Sequence, residues 1–393
     1  MNVWISSGLI ALWVSPPAAA HGERFSLSRI SASPDDPDIW WANANGWGVV
    51  YTLDAGATWA WRCEEGIGAS SVYDVLAIEG GQALLATSEG LQQIDADCAS
   101  SMWTGLPADS FAGVLARGPD VIYAAVFADG DGSLFRCAGG ACEATSLTGT
   151  YVKSVRAIAS GVVYVTTVDP TTLAAALWTS TDGQTFTPVQ SWPDGDYDVR
   201  VLYAEEERLL LWRLPRSDAD IPALLYSSDG GVTHQIVLTD GQYTDPVPGL
   251  AVSGQNVWLG SDIGRTWRSL DGGRHYFEVS ETEPAVRCGE QAGDRLLICS
   301  DHFADGFDAA VWQGGQGWAG AGCLDGAEVD SCASEACEVY ADAFYDAGAF
   351  GGGECYAAPE DPTGCGSSAM LLPGLWALGW GTRRMRSGVP RRA

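Results

Sequence analysis

The side chains that could do chemistry in this chain are overwhelmingly carboxylates: 50 Asp and Glu stand against 21 Lys and Arg and four His. The run Phe127-Ala128-Asp129-Gly130-Asp131-Gly132-Ser133 offers oxygens at alternating positions, Asp129, Asp131 and Ser133, of the kind calcium takes. Asp194, Asp196 and Asp198 alternate in the same way. Neither run continues into a twelve-residue calcium loop ending in Glu, so calcium is an option and no other cofactor is implied. The histidines, at 21, 234, 275 and 302, are scattered, and no Cys-x-x-Cys pair joins them, so a zinc site is not expected. Glycoside hydrolysis would need two carboxylates facing each other across a cleft. With 50 acids such a pair can always be drawn, so it discriminates nothing.

What does recur with a fixed spacing is a turn. Thr52-Leu53-Asp54-Ala55-Gly56-Ala57-Thr58-Trp59 is repeated as Ser227-Ser228-Asp229-Gly230-Gly231-Val232-Thr233-His234 and as Ser269-Leu270-Asp271-Gly272-Gly273-Arg274-His275-Tyr276. Ser180-Thr181-Asp182-Gly183-Gln184-Thr185-Phe186 is the same pattern with one residue deleted. Gly56, Gly231 and Gly273 supply the positive φ that a tight hairpin needs. Asp54, Asp182, Asp229 and Asp271 can accept hydrogen bonds from turn N–H groups and hold the loop closed. Trp59, Phe186 and Tyr276 can fold back and bury themselves between strands. These roles are structural, and none requires catalysis.

On those residues the chain resembles the Asp-box (BNR) repeat, S-x-D-x-G-x-T-W, of the sialidase-like, sortilin-like and photosystem-assembly-factor-like β-propellers. The resemblance implies an all-β propeller more than any activity. Sialidase-like enzymes hold a substrate carboxylate with three arginines, the first in an R-I-P-type segment near the propeller start. Here Arg29-Ile30-Ser31 lacks the Pro, Arg156, Arg200 and Arg287 are the remaining candidates, and no Tyr–Glu nucleophile pair can be assigned. The sortilin and photosystem-assembly groups carry Asp-boxes without catalysis and present their top face and channel to a partner.

The period supplies the architecture. Three degenerate hairpins, Leu84–Leu91, Leu134–Gly140 and Val311–Trp318, join the four turns, with centres near 54, 89, 138, 182, 229, 271 and 314 and intervals of 35, 49, 44, 47, 42 and 43 residues. A repeat of about 40–50 residues is what a four-stranded propeller blade requires. Runs such as Val72–Ala77, Val121–Ala125 and Leu209–Trp212 are apolar, β-branched and aromatic, and Gly, Asp and Ser turns separate them, as in strands. The expectation is a seven-bladed β-propeller of four-stranded antiparallel blades over 21–322, with the 17 tryptophans acting mainly as wedges between blades.

Both ends carry addresses. Residues 1–20 read as an export signal: an apolar run from Val3 to Val14 leads to Ala18-Ala19-Ala20 before His21, although no base precedes it. Residues 363–393 hold Gly364-Cys365-Gly366, a short apolar stretch and five arginines. This resembles the MYXO-CTERM sorting tail of myxobacterial exported proteins, in which the tail is removed and the Cys, here Cys365, is kept as an anchor point. A plain short membrane anchor is the alternative. Between propeller and tail, 323–362 is a Cys-rich acidic cap or stalk. Without Cys365 ten cysteines remain, an even number that suits an oxidised exported protein. Cys137 and Cys142 flank a Gly-Gly turn, Cys288 and Cys299 flank the Gly289–Gly293 turn, and both pairs are expected to form; the remaining connectivity is open.

A pI of about 4.2 argues against nucleic acid, which needs clustered Lys and Arg. The expected protein is thus an exported, surface-anchored, monomeric and noncatalytic propeller that binds a protein, peptide or glycan through its channel face. Its membrane contact would run only through the tail. A sialidase-like or xyloglucanase-like glycoside hydrolase is the alternative. The noncatalytic reading expects no buried, perturbed carboxylate pair at the channel.

Overall fold

The computed structural model describes residues 26–338, apart from 194, 217–219, 240–247, 262–263, 301–304, 306, 315–316, 323, 325–326 and 333–334. Seven antiparallel blades follow one another along the chain. Blade 1 holds β1 (Arg29–Ala32), β2 (Trp40–Asn43), β3 (Val49–Thr52) and β4 (Ala60–Arg62); blade 2 holds β5 (Val72–Ala77), β6 (Ala83–Thr87), β7 (Gly90–Ile94) and β8 (Ser100–Met102). Blade 3 runs through β9 (Phe111–Arg117), β10 (Ile122–Ala128), β11 (Asp131–Ala138) and β12 (Ala141–Thr148). Blade 4 runs through β13 (Tyr151–Ala157), β14 (Val163–Val168), β15 (Ala175–Ser180) and β16 (Thr187–Trp192). Blade 5 has β17 (Tyr197–Glu205), β18 (Arg208–Pro215), β19 (Ala223–Ser227) and β20 (Gln235–Thr239), and blade 6 has β21 (Gly249–Ser253), β22 (Asn256–Gly260), β23 (Thr266–Ser269) and β24 (Phe277–Glu278). Blade 7 has β25 (Cys288–Ala292), β26 (Arg295–Cys299), β27 (Ala309–Trp312) and β28 (Trp318–Gly322). In each blade the first strand lies innermost and successive strands step outward in simple meanders.

The core is a ring of seven apolar clusters, one between each pair of neighbouring blades. Because side chains alternate across a strand, one strand feeds two clusters. Trp40 of β2 packs toward blade 7, while the adjacent Trp41 packs toward blade 2. Trp258 likewise faces blade 7, with Val257 and Leu259 turned to blade 5. All of these are essentially inaccessible to water, so the second strands read as continuous apolar runs rather than alternating ones.

Blade 1 takes its four main strands from one end of the described chain and blade 7 its four from the other, and no strand pairing joins the two blades among the described residues. The chain beyond blade 7 supplies another tie. It crosses to blade 1 as β29 (Glu328–Val329), pairing parallel to β4 with Glu328 opposite Ala60. Leu324, Ala327 and Cys337 bury themselves in the cluster between blades 1 and 7. Disulfides Cys63–Cys337 and Cys98–Cys332 fasten this strap to blades 1 and 2. Cys137–Cys142 and Cys288–Cys299 are also paired. Of the expected cap or stalk, the described residues up to Glu338 pack on the blades in this way; the expected signal, tail and Cys365 lie outside the described residues.

One sequence expectation needs correction. Thr87-Ser88-Glu89-Gly90 is the turn between the second and third strands of blade 2, not the third and fourth. The hairpin equivalent to the Asp turns is Asp95–Ala99, where Asp95 Oδ1 accepts from Ala99 N at 2.8 Å. The uneven intervals of 35 and 49 residues came from that substitution of one turn for another.

Candidate binding site in the central channel

The four repeated turns sit between the third and fourth strands, on the outer half of the blades, and they consume their own carboxylates. Asp54 Oδ1 accepts from Thr52 Oγ1 at 2.7 Å and Thr58 N at 2.8 Å, and its Oδ2 accepts from Thr58 Oγ1 at 2.7 Å. Asp229 repeats this with Ser227 and Thr233. Asp271 accepts from Ser269 and from the His275 N–H, and its Oδ2 lies 2.6 Å from His275 Nδ1. In the shortened turn Gly183 N, rather than the residue after it, reaches Ser180 Oγ at 2.9 Å, and Asp182 accepts from Gln184 N and Thr185 N. Gly56, Gly231 and Gly273 have φ of 91°, 93° and 96°. Trp59 and Phe186 are buried, and Tyr276 is half-buried. These residues build hairpins on the outer half of the blades, away from the channel lining.

Asp129, Asp131 and Ser133 fall on the β10–β11 hairpin, with Asp129 at φ 54° in its tip. Among the described residues no group of three or more His, Cys, Asp or Glu side chains is gathered to hold a metal. Of the second alternating run, Asp194 lies outside the described residues, while Asp198 is engaged by Lys153 and Arg200, each at 3.6 Å.

The chemistry gathers instead on the axis. The inner strands enclose a cavity of about 660 Å³ onto which Arg29, Arg117, Arg156, Arg287, Tyr203 and Glu290 open. Each inner strand presents an unpaired edge to the channel, and such an edge needs donors for its carbonyls. The arginines provide them and in doing so cross from blade to blade. Arg29 of β1 donates to Leu115 O of blade 3 at 3.2 Å and to Asp74 Oδ2 of blade 2 at 3.0 Å. Arg117 donates to Ala32 O of blade 1 at 3.1 Å and to Ala77 O of blade 2. Arg156 donates through Nε to Leu202 O of blade 5 at 2.9 Å. A guanidinium carries five N–H donors, more than these bonds use.

The electrostatics follow from enclosure. Burial pushes Arg156 down to about 10, with the like charge of Arg29 adding to the effect. Burial also lowers Arg117. Asp74 and Glu290 are both raised by burial, against the pull of the neighbouring arginines. Asp74 is fully engaged, accepting from Leu115 N at 2.7 Å, Val75 N at 2.9 Å and Arg29. Glu290 is the carboxylate that opens on the cavity.

Of the arginines singled out in the sequence, Arg29, Arg156 and Arg287 meet at the channel, whereas Arg200 pairs with Asp198 away from the cavity lining. Against the expectation of no buried, perturbed carboxylate pair at the channel, burial raises both Asp74 and Glu290 beside the guanidiniums; of the two, Glu290 opens on the cavity and Asp74 does not line it. Arg117, Asp74 and Glu290 were missed. For Asp74 and Arg117 the signal was a charge inside an apolar inner strand, as in Val72-Tyr73-Asp74-Val75-Leu76-Ala77; Glu290, in Cys288-Gly289-Glu290-Gln291-Ala292, carried no such signal.

No protein-family profile matches the chain. No curated protein sequence matches it either. Solved structures do. YCF48 from Cyanidioschyzon merolae is 15% identical with a TM-score of 0.49, covering 70% of this chain and 92% of that one. The computationally designed Ika8 protein is 12% identical at 0.46, covering 73% and 83%. A structure of YCF48 bound to D1 peptide is 14% identical at 0.45, covering 70% and 88%. At these identities the likeness concerns the fold alone, and no residue role is transferred.

Proposed function

We propose that this chain is a noncatalytic binding propeller that takes a protein, peptide or glycan partner at its channel, with an anionic group of the partner seated among the arginines. The observation that carries this reading is the concentration of charge. Four of 21 basic residues open on one cavity, against Glu290, in a chain of net charge −29. Positive charge at the bottom of a low-dielectric channel focuses the field on an entering anion. Arg156 is the residue to remove, because it reaches the cavity without pairing to a carboxylate side chain in the hydrogen bonds described above. Arg156→Ala is expected to weaken binding of a carboxylate-bearing partner about tenfold or more, the scale of a lost charge-assisted contact. Isothermal titration with acidic peptides and sialylated or uronic-acid oligosaccharides reads this out, and unchanged affinity would sink the proposal.

A glycoside hydrolase is the second reading, favoured by Glu290, whose raised pKa beside three arginines suits a general acid. Asp74 does not supply the second carboxylate, since its oxygens are taken up. Turnover of fluorogenic glycosides that vanishes in Glu290→Gln would establish this reading in place of the first.

Export and surface anchoring through Cys365 belong to the same proposal. Four disulfides among the described residues support an oxidising compartment. Mass spectrometry of the protein from its own cells tests both cleavages; a mature chain retaining residues 1–20 and 366–393 would exclude them.

A further inference from the structure

At the mouth where the inner strands begin, blades 2 to 4 carry a continuous row of aromatic rings. Tyr73 of β5 lies 5.8 Å from Phe111 of β9, which stacks on its cross-strand partner Phe127 of β10 at 4.9 Å, which in turn lies 5.8 Å from Tyr151 of β13. Tyr73 is 48% and Phe111 40% exposed, although apolar clusters lie on either side of these strands. β9 and β13 run from this mouth toward Arg117 and Arg156, which lie roughly 16–20 Å along the strands at about 3.3 Å per residue; Arg29 is nearer, and its guanidinium is held by Asp74 Oδ2 at 3.0 Å and Leu115 O at 3.2 Å. It is a second surface, distinct from the Arg117 and Arg156 end of the channel.

The surrounding loops select its partner. Glu89, Asp109, Asp129, Asp131 and Asp169 stand exposed in the turns at this mouth, and the segments 69–73, 87–91, 104–113, 126–133 and 166–172 contain no Lys or Arg. The mutual faces of Phe111 and Phe127 are covered by each other, so they offer no flat platform for a sugar ring. What remains accessible is ring edges and the outer faces of the terminal tyrosines, which suit apolar side chains and cations.

We propose that this mouth docks a basic segment of a partner protein, its Lys or Arg side chains meeting the ring of carboxylates and its apolar anchor lying along Tyr73, Phe111, Phe127 and Tyr151. Exposed acids give such a site its on-rate and salt dependence, and the aromatic row gives the contact area.

The test uses the full chain and three fluorescein-labelled peptides of equal length. One alternates Arg with Leu around a central Trp, one has Glu in place of Arg, and one keeps Arg but has Ser in place of Leu and Trp. The first is expected to bind, to weaken about tenfold in Tyr73→Ser/Phe111→Ser and in Asp129→Lys/Asp131→Lys, and to lose affinity with added salt. Arg156→Ala should leave it unchanged, which separates this surface from the channel. If the double aromatic variant does not fold, the single Tyr73→Ser at an exposed position carries that arm. Equal binding of the Glu peptide, or of the Ser peptide, overturns the proposal. So does affinity that ignores the aromatic substitutions, or binding of neutral oligosaccharides that the same substitutions abolish.

Discussion

Arg62 and Asp330, 268 residues apart, form a buried ion pair in which Arg62 Nε donates to Asp330 Oδ2 at 2.6 Å. Each side chain is no more than 3% exposed. Arg62 ends β4 and Asp330 follows β29, so the pair locks the strap onto blade 1 just past the parallel ladder, where Asp330 N also donates to Trp61 O at 2.8 Å. Arg62 spans further, donating through Nη2 to Asp95 O of blade 2 at 3.0 Å. The pair is thus the polar counterpart of the apolar cluster that closes the ring.

Removing one partner leaves the other charged and buried. Asp330→Ala is expected to destabilise the propeller by about 3–5 kcal/mol, the cost of breaking a buried pair from one side. Urea unfolding of the variant checks this; a loss below about 1 kcal/mol, the scale of an exposed pair, would mean that water reaches Arg62.

The disulfides divide by the loops they close. Cys63–Cys337 and Cys98–Cys332 span 274 and 234 residues, whereas Cys137–Cys142 spans five. In the chain-entropy account a long closure restrains the unfolded chain more, with typical removal costs of about 2–5 kcal/mol. Cys337→Ser should therefore lower the melting temperature more than Cys142→Ser. Equal shifts would mean that the strap's burial, not its covalent tie, closes the ring.

The blades were legible in the sequence because each repeats a local device, hydroxyl, Asp and Gly at set spacing, whose partners lie within four residues. Where the device is degenerate the reading slipped: Ser88-Glu89-Gly90 imitates it while closing a different hairpin, and Asp95–Ala99 hides the real one. The channel was legible only as isolated candidates. Arg29, Arg117, Arg156 and Glu290 come from four blades, and only ring closure sets them face to face. The strap escaped for the same reason, since nothing local in Glu328-Val329-Asp330 points to Ala60-Trp61-Arg62.

Acid should loosen the turns before it loosens the core. Asp229 is held down at about 2, first by the Thr233 hydroxyl and then by the Thr233 N–H and Ser227. In Asp182 the Thr185 and Gln184 N–H groups lower the carboxyl, and in Asp271 the His275 side chain does so first. Burial opposes the shift in Asp54, where hydrogen bonds from Thr58, Thr52 and Ala57 together outweigh it. A carboxylate with a depressed folded-state pKa contributes stability above its unfolded value near 4, and that contribution fades as pH falls through the folded value. The melting temperature should drop between pH about 4 and 2, and Asp229→Asn should start lower and drop less over that window. A parallel decline of variant and parent would show that Asp229 takes no part.

Gly56 and Gly46 separate two reasons for a glycine. Both have strongly positive φ, 91° and 83°, so a side chain at either incurs the left-handed penalty, about 1–2 kcal/mol. They differ in their surroundings. A Cβ on Gly56 would stand 1.8 Å from Ala321 O in β28, whereas one on Gly46 meets nothing within 4 Å. The turn of blade 1 touches the backbone of blade 7 here, and neither backbone can yield without opening the seam that closes the ring. Gly46→Ala should cost only the conformational term, while Gly56→Ala should cost several kcal/mol more and loosen the seam. Hydrogen exchange across β28 alongside the two melts checks this. Equal losses, with β28 protection intact in both variants, would mean that the seam accommodates a methyl group and that φ alone selects glycine at position 56.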